Sequence, residues 1–398
     1  MANTRVTNPV TGFNSATEEG LKLPSGTNAN LPTGVQGMIR NDTDETTGSS
    51  ASAIEHYNGT AWQYFAATES PDPVVPSQNF NTVLYTGTGV SNPITGVGFQ
   101  PDLVWIKARN IGYNHRLFDS VRTLNGRIES NTTAAEVSTT QNDNFASFDS
   151  NGFTLGATSS TNGSNFSGEP FVAWCWKAGG AAVSNTDGDI TSQVSANVAG
   201  GFSIASYTGN GTAGATVGHG LDSTPEMVIV KRLSGIENWA VYTAYSHPTA
   251  PENYLLTLDE NYAASLNSTR WNNTAPTSVT FSVGTSQAVN ANSNNYIAYC
   301  FHSVPGYSKV GSYTGTGAGT TITTGFQPAF VMIKKTSGSA DWIIFNDKTG
   351  SNILKPNTSA TEVVLTNYIT YNSTGFTLPT NDSNINSGDF IYMAFATS

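Results

Sequence analysis

Charge is what this sequence has least of. Asp, Glu, Lys and Arg make up 11% of its 398 residues, where average soluble proteins carry about 25%. The polar surface must therefore come from Ser, Thr, Asn, Gln and Gly, and contacts made through such a surface are insensitive to salt. The 17 basic residues are outnumbered by 28 acidic ones, for a formal net charge of −11. That balance argues against nucleic-acid binding, which needs a basic stripe. No apolar run approaches the roughly 18–20 residues of a spanning helix, so membrane insertion is not expected. The opening MANTRVTNPVTGF has no apolar h-region. Signal-peptide secretion is therefore not expected, and a protein of this kind working outside a cell would be released by lysis. Cysteine is nearly absent too, with only Cys175 and Cys300. Apolar residues spaced i, i+3, i+4, i+7 are also missing, which removes the signature of amphipathic helices.

Short alternating or continuous apolar runs, bounded by Gly, Pro, Asn and Ser, fill the chain instead, and they predict an all-β protein. The segment ATESPDPVVPSQN carries Pro71, Pro73 and Pro76. It reads as a stiff linker over residues 67–79, setting residues 1–66 apart as a small β-hairpin module. Within that module GMIRNDTD (37–44) and AIEHYNGTAWQYF (53–65) read as strands, with Asn58-Gly59 as a hairpin turn.

Beyond the linker the chain repeats itself. Tyr-Thr-Gly recurs at Tyr85, Tyr207 and Tyr313. VGFQPDLVWIK (97–107) returns as TGFQPAFVMIK (324–334) and, degraded, as HGLDSTPEMVIVK (219–231). Eleven positions after each closing lysine stands an aromatic residue, Phe118, Tyr242 or Phe345. SFDSNGFTLG (147–156) matches TYNSTGFTLP (370–379), with SVTFSVG (278–284) as the weaker middle copy. Each copy closes on an apolar strand, FVAWCW (171–176), YIAYCF (296–301) or FIYMAF (390–395). Residues 80–180, 200–305 and 307–398 are therefore expected to be three tandem jelly-roll-like β-sandwich repeats. Lys107 and Lys334 are expected to lead out to solvent.

The repeat also tests candidate sites, because chemistry built by the fold should recur with it. Cys175 and Cys300 fall at one repeat position, Ala394 being the third, so they belong to separate cores and should not pair. The histidines (His56, His115, His219, His247, His302) share no repeat position and form no metal motif, which predicts solvated loop histidines and no metal site. Asp119 and Asp347 follow the aromatic strand in two copies, and Asp259-Glu260 is unmatched. Glycosidase chemistry needs two carboxylates facing across a cleft, which spacing alone does not exclude, but with so few acids on so polar a surface no catalytic residues and no cofactor are expected. The glycines of Tyr-Thr-Gly read as turns, since no helix follows to make a phosphate cradle. Trp239 and Trp342 occupy aligned positions, with His115 or Arg116 in the first copy. They are the candidate surface glycan contacts, against the alternative of core packing.

GFQPDLVWIK, SNTTAAE (130–136), FDSNGFTLG and FVAWCWKAGG (171–180) together resemble a family of repeated β-domains in tail and virion proteins of marine bacteriophages. The likeness is close in the first repeat, fair in the third and loose in the second. LKLPSGTNANLPTGVQGMIRNDTD with IEHYNGTAWQYF resembles a second module found near the N-termini of phage fibre proteins. The resemblance implies a non-enzymatic virion structural protein, made in the host cytoplasm and released by lysis. It would be a tail fibre contributing to host adsorption, or alternatively a capsid decoration or head-fibre protein. Residues 1–66 would join other virion proteins, and by analogy with viral fibres the chain would form a homo-oligomer, a trimer by preference. A host-surface glycan or protein would be the outer partner. A carbohydrate-binding module is the reading from another functional class.

Overall fold

The computed structural model describes residues 25–26, 39–42, 53–57, 60, 62–64, 74–122, 124, 126–138, 145–158, 163–379 and 381–397. The chain divides into two compact units, Met1–Asp72 and Pro73–Ser398. In the first, four short strands pair in chain order, Ser25–Gly26, Ile39–Asp42, Ala53–Tyr57 and Trp62–Tyr64. The expected turn Asn58-Gly59 lies outside the described residues.

The regular structure of the second unit is nearly all β. Each repeat places one four-stranded arrangement at its centre, and the order is the same three times. The Tyr-Thr-Gly strand pairs with the closing strand, which pairs with the Pro-motif strand, which pairs with the aromatic strand. In the first repeat these are Phe80–Thr86, Pro170–Trp176, Leu103–Ala108 and Arg116–Asp119. Phe202–Thr208, Asn295–Phe301, Met227–Arg232 and Ala240–Thr243 repeat the order, as do Ser308–Thr316, Ser387–Phe395, Phe330–Lys335 and Ile343–Asn346. A smaller sheet, for example Asn92–Thr95 with Gly152–Leu155 and Phe145–Asp149, covers one face of each.

Alternation along a strand sends successive side chains to opposite faces, and here both faces are buried. Phe171, Ala173 and Cys175 enter the first repeat's own core, with Val104, Ile106 and Phe153. Val172, Trp174 and Trp176 point the other way, into a core shared by all three repeats. The second repeat sends Tyr296, Ala298 and Cys300 to its own core and Ile297, Tyr299 and Phe301 to the shared one. Phe390, Tyr392 and Ala394 are likewise internal to the third, while Ile391, Met393 and Phe395 join the centre. Phe80 of the first repeat stacks on Phe395 of the third at 5.2 Å, and Phe395 meets Phe301 of the second at 6.0 Å. A strand apolar on both faces is what such a double-sided burial requires.

The repeats close into a ring. Glu136 N–H donates to Leu233 O (2.9 Å), Ala264 N–H to Thr336 O (3.0 Å), and Glu362 N–H to Arg109 O (2.7 Å). The acceptors stand two residues after Lys231, Lys334 and Lys107, so one bond is made three times, first repeat to second, second to third, third to first. Two segments outside the expected repeats are also folded in. Val183–Asn185 and Ser192–Asn197 extend the second repeat's sheet. From Val74 on, the stretch read as linker packs on the shared core, and Pro76–Gln78 forms a single 3-10 turn.

Candidate functional site

The two tryptophans read as surface glycan contacts are not at the surface. Trp239 and Trp342 are 0% exposed and belong to the shared core. Their indole Nε1–H groups cross the seams, Trp239 donating to Glu129 O of the first repeat at 3.0 Å and Trp342 to Thr257 O of the second at 2.8 Å. A buried indole usually finds a partner, and here the preceding repeat supplies it. Sequence spacing aligned these residues but carries no information about a core assembled from three distant segments.

Lys107 and Lys334 were expected to reach solvent, yet both are fully buried, as is Lys231. Lys231 Nζ donates to Thr133 O across the seam and to Glu237 O. Lys334 repeats this with Asn261 O and Ala340 O, and Lys107 holds Ala108 O and Ile111 O. Burial pushes all three down to about 8. Each amine stays largely protonated at neutral pH and donates to two backbone carbonyls, so these side chains tie the backbone together.

Two histidines also depart from the solvated reading. His115 is buried, accepting Trp105 Nε1–H on Nδ1 at 3.0 Å. Burial, then the nearby Lys107 charge, pushes its pKa well below the usual histidine value. His219 is buried as well, its Nδ1 accepting Leu221 N–H. Cys175 and Cys300 are free and buried, each in its own repeat's core. Among the described residues, no group of three or more His, Cys, Asp or Glu is placed to hold a metal ion.

The carboxylates are occupied by the fold. Asp119 Oδ2 accepts from Arg122 Nε and from Tyr299 OH of the second repeat, both at 2.7 Å. Strand register places Asp119, Thr243 and Asn346 at equivalent positions, opposite Leu103, Met227 and Phe330, so Asp347 is not its counterpart. Asp259, unmatched in sequence, takes Trp239 N–H on Oδ1 at 2.8 Å, just as Asn131 takes His115 N–H and Asn357 takes Trp342 N–H. A cleft of about 220 Å³ in the third repeat is lined by Asp341 and Asp382. Burial pulls both upward, but hydrogen bonds, from Lys355 and Asn357 to Asp341 and from Tyr368 and Asn384 to Asp382, hold them below the usual aspartate value. Neither is poised as the protonated partner of an acid–base pair.

The Tyr-Thr-Gly loops are filled from within. Tyr85, Tyr207 and Tyr313 OH donate to Ser164 O, Val289 O and Ile385 O. The following asparagine is buried each time, and Asn165, Asn290 and Asn386 accept the loop amides of Thr88, Asn210 and Thr316. The N–H groups of Gly87, Gly89, Gly209 and Gly317 are taken by backbone carbonyls as well. The first glycine of each loop is a close approach rather than a turn, since a Cβ on Gly87 would lie 2.1 Å from Phe166 O. The turn belongs to the second glycine, Gly89, Gly211 or Gly317, each with φ between 71° and 74°. These asparagines escaped the sequence reading, although each stands just ahead of the closing strand.

A groove of about 630 Å³ opens where the second and third repeats meet. Tyr245, His247, Tyr254 and Ala264 line one side, and Ser312, Tyr313, Ser337 and Asp389 the other. The His247 ring lies flat on Tyr254, with centroids 4.4 Å apart and planes 6° from parallel. Tyr313 stacks on Phe390 at 5.0 Å. Tyr245 OH donates to Glu226 Oε1 at 2.6 Å, and burial, with that carboxylate, pushes its pKa up. Thr314 Oγ1 donates to Asp389 Oδ1 at 2.8 Å. The arrangement is a preformed concave surface with the His247–Tyr254 stack on one side and hydroxyls on the other.

A comparison with curated proteins finds no match. The pattern of one family, described as Domain of unknown function (DUF7483), matches residues 75–398, which is the whole three-repeat unit. The chain belongs to this family.

Proposed function

We propose that the protein is a non-enzymatic structural protein of a bacteriophage virion, a tail fibre whose three-repeat unit contributes to adsorption on the host surface. The observation that carries the reading is the division of the chain at residues 72 and 73 into a small β-unit and one large closed ring. In this reading residues 1–66 join other virion proteins and the ring is the part presented outward. The resemblance of the repeats and of the N-terminal segment to phage modules supports it. So does a surface poor in charge, whose contacts persist across salt concentrations. The candidate carboxylates and lysines are engaged as structural ties, which supports a non-catalytic role. Three equivalent sandwiches already meet within one chain, so any homotrimer is assigned to contacts made by residues 1–66.

Deleting residues 1–72 tests the proposal. The remaining chain should fold and stay soluble yet be missing from purified particles, by mass spectrometry and by labelling of the C-terminus in electron micrographs. Incorporation of the truncated chain at the full-length level would sink the assignment of the N-terminal unit. Absence of the full-length protein from particles would sink the virion reading itself.

A further inference from the structure

The ring has three seams built from equivalent positions, and two are filled by an arginine–glutamate pair, one pair spanning its seam and the other lying along one side of it. At the seam between the first and second repeats, Glu136, whose N–H crosses it, pairs with Arg122 of its own repeat, Oε1 lying 2.8 Å from Nη1. Between the third and first, Glu362 takes bonds from Arg109 Nε and from Arg109 Nη2, the latter at 2.7 Å. The position of the two glutamates, marked by the N–H that crosses each seam, is Ala264 between the second and third repeats. Arg109, the acceptor of that N–H, has Thr336 as its counterpart. Arg122 stands three residues after Asp119, and the residue three after the equivalent Thr243 is Ser246. All three filling side chains are thus replaced by small ones at a single seam. Ala264, Ser246 and Thr336 all line the groove of about 630 Å³.

From this open seam we infer a binding site for a neutral saccharide. The flat face of the His247–Tyr254 stack offers an apolar platform for the C–H face of a sugar ring. Ser312, Ser337 and Asp389, all exposed at the rim, offer hydroxyl and carboxylate partners for sugar hydroxyls. Among the described residues no lysine or arginine lines the groove, so an acidic sugar or a phosphate would meet Asp389 without a counter-charge. A small apolar ligand would leave the rim hydroxyls unpaired. The inference deepens the adsorption reading by naming the ligand class, and it rests on that reading only for its biological setting.

The full-length protein is to be screened against chito-, cello-, xylo- and manno-oligosaccharides alongside oligogalacturonates and sialylated glycans, with hits measured by titration calorimetry. A neutral glycan is expected to bind and the acidic ones not. Tyr254→Ala removes the platform and Ala264→Glu restores the carboxylate of the other seams, and each should weaken binding about tenfold or more at an unchanged melting temperature. Ser312→Glu, on an exposed strand position, does the same without touching the core and serves if either variant fails to fold. Failure of every neutral glycan to bind overturns the proposal, as does preference for the acidic set or binding unaffected by both Ala264→Glu and Ser312→Glu. Particle incorporation of Ala264→Glu is read separately. Normal incorporation without glycan binding by wild type sinks the groove alone, whereas glycan binding by a protein absent from particles sinks the virion reading alone.

Discussion

Asp259 shows how one residue can be misread along a sequence and explained by its neighbours in space. As Asp259-Glu260 it matched nothing in the other copies. Folded, it caps the same backbone N–H that Asn131 and Asn357 cap elsewhere in the ring. Its other contact is with Asn238 Nδ2 at 2.9 Å, where the first repeat pairs Asn131 Nδ2 with Asn114 Oδ1. The second repeat therefore buries a charge where its sisters bury an amide, and burial raises the Asp259 pKa to about 6. A folded-state pKa above the unfolded value means the native state holds the proton more tightly. That contribution is present below about pH 4 and is lost as pH rises through about 6. Asp259→Asn keeps the acceptor for Trp239 N–H and removes the pH-dependent loss, while Asn238 can turn its amide as Asn114 does. The variant is expected to be more stable than wild type at pH 7 by about 1 kcal/mol, with the gap closing toward pH 4. Urea midpoints at the two pH values check it, and a gap that does not change with pH refutes the buried-charge account. The same blindness hid Lys231 and His115, because burial by a distant repeat leaves no local mark on either side of a residue.

Elements were more legible, since a strand's alternation and its flanking Gly and Pro are local properties. The Pro-motif strands, the aromatic strands and the closing strands all stand where the repeat predicted. The middle copy of the outer hairpin looked degraded because its glycine has changed strands. Gly152 pairs with Thr95 and Gly375 with Thr323, but in the second repeat Thr280 pairs with Gly218. The missing Cβ on Gly218 admits the Asn185 side chain from the inserted hairpin, for a Cβ there would lie 1.7 Å from Asn185 Oδ1. In the outer copies the reason is different. A Cβ on Gly152 would lie 2.0 Å from Ile94 O, and one on Gly375 would lie 2.0 Å from Ile322 O. Backbone cannot swing aside as a side chain can, so Gly375→Ala must spread the two strands over Phe376, which is 0% exposed. A loss of roughly 1–3 kcal/mol is expected, as for other overpacked sites. Gly152→Ala should cost a similar amount, while Gly319→Ala, where a Cβ meets nothing within 4 Å, should cost far less. Guanidinium midpoints for the three variants decide the matter, and equal losses at Gly375 and Gly319 would remove the steric argument.

At the scale of the whole molecule, the repeat was legible and the ring was not. Three copies of one pattern predict three sandwiches, and each does have a core of its own. The pattern is equally compatible with beads on a string, because the second apolar face of Val172, Trp174 and Trp176 could have met another subunit. The structure turns that face inward, where Trp176, Phe301 and Phe330 of three different repeats share one cluster, and this fixes how the unit must unfold. Removing any repeat exposes the central faces of the other two; loss of the first also takes the carbonyl partner of the Trp239 indole, and loss of the second that of Trp342. Independent domains melt in separate steps, whereas domains joined by a large apolar interface melt together. The three-repeat unit, Pro73–Ser398, is therefore expected to show a single calorimetric transition with a van't Hoff enthalpy close to the calorimetric one. Residues 73–180 or 307–398 expressed alone should be insoluble or should bind a hydrophobic dye strongly. Weakening one seam with Trp342→Phe, which deletes the bond to Thr257 O, should lower that single transition by about 1 kcal/mol without splitting it. Three resolved transitions in the wild type, or a lone repeat that folds with sharp methyl resonances, would show that the central cluster does not couple the repeats and that the ring is three neighbours rather than one body.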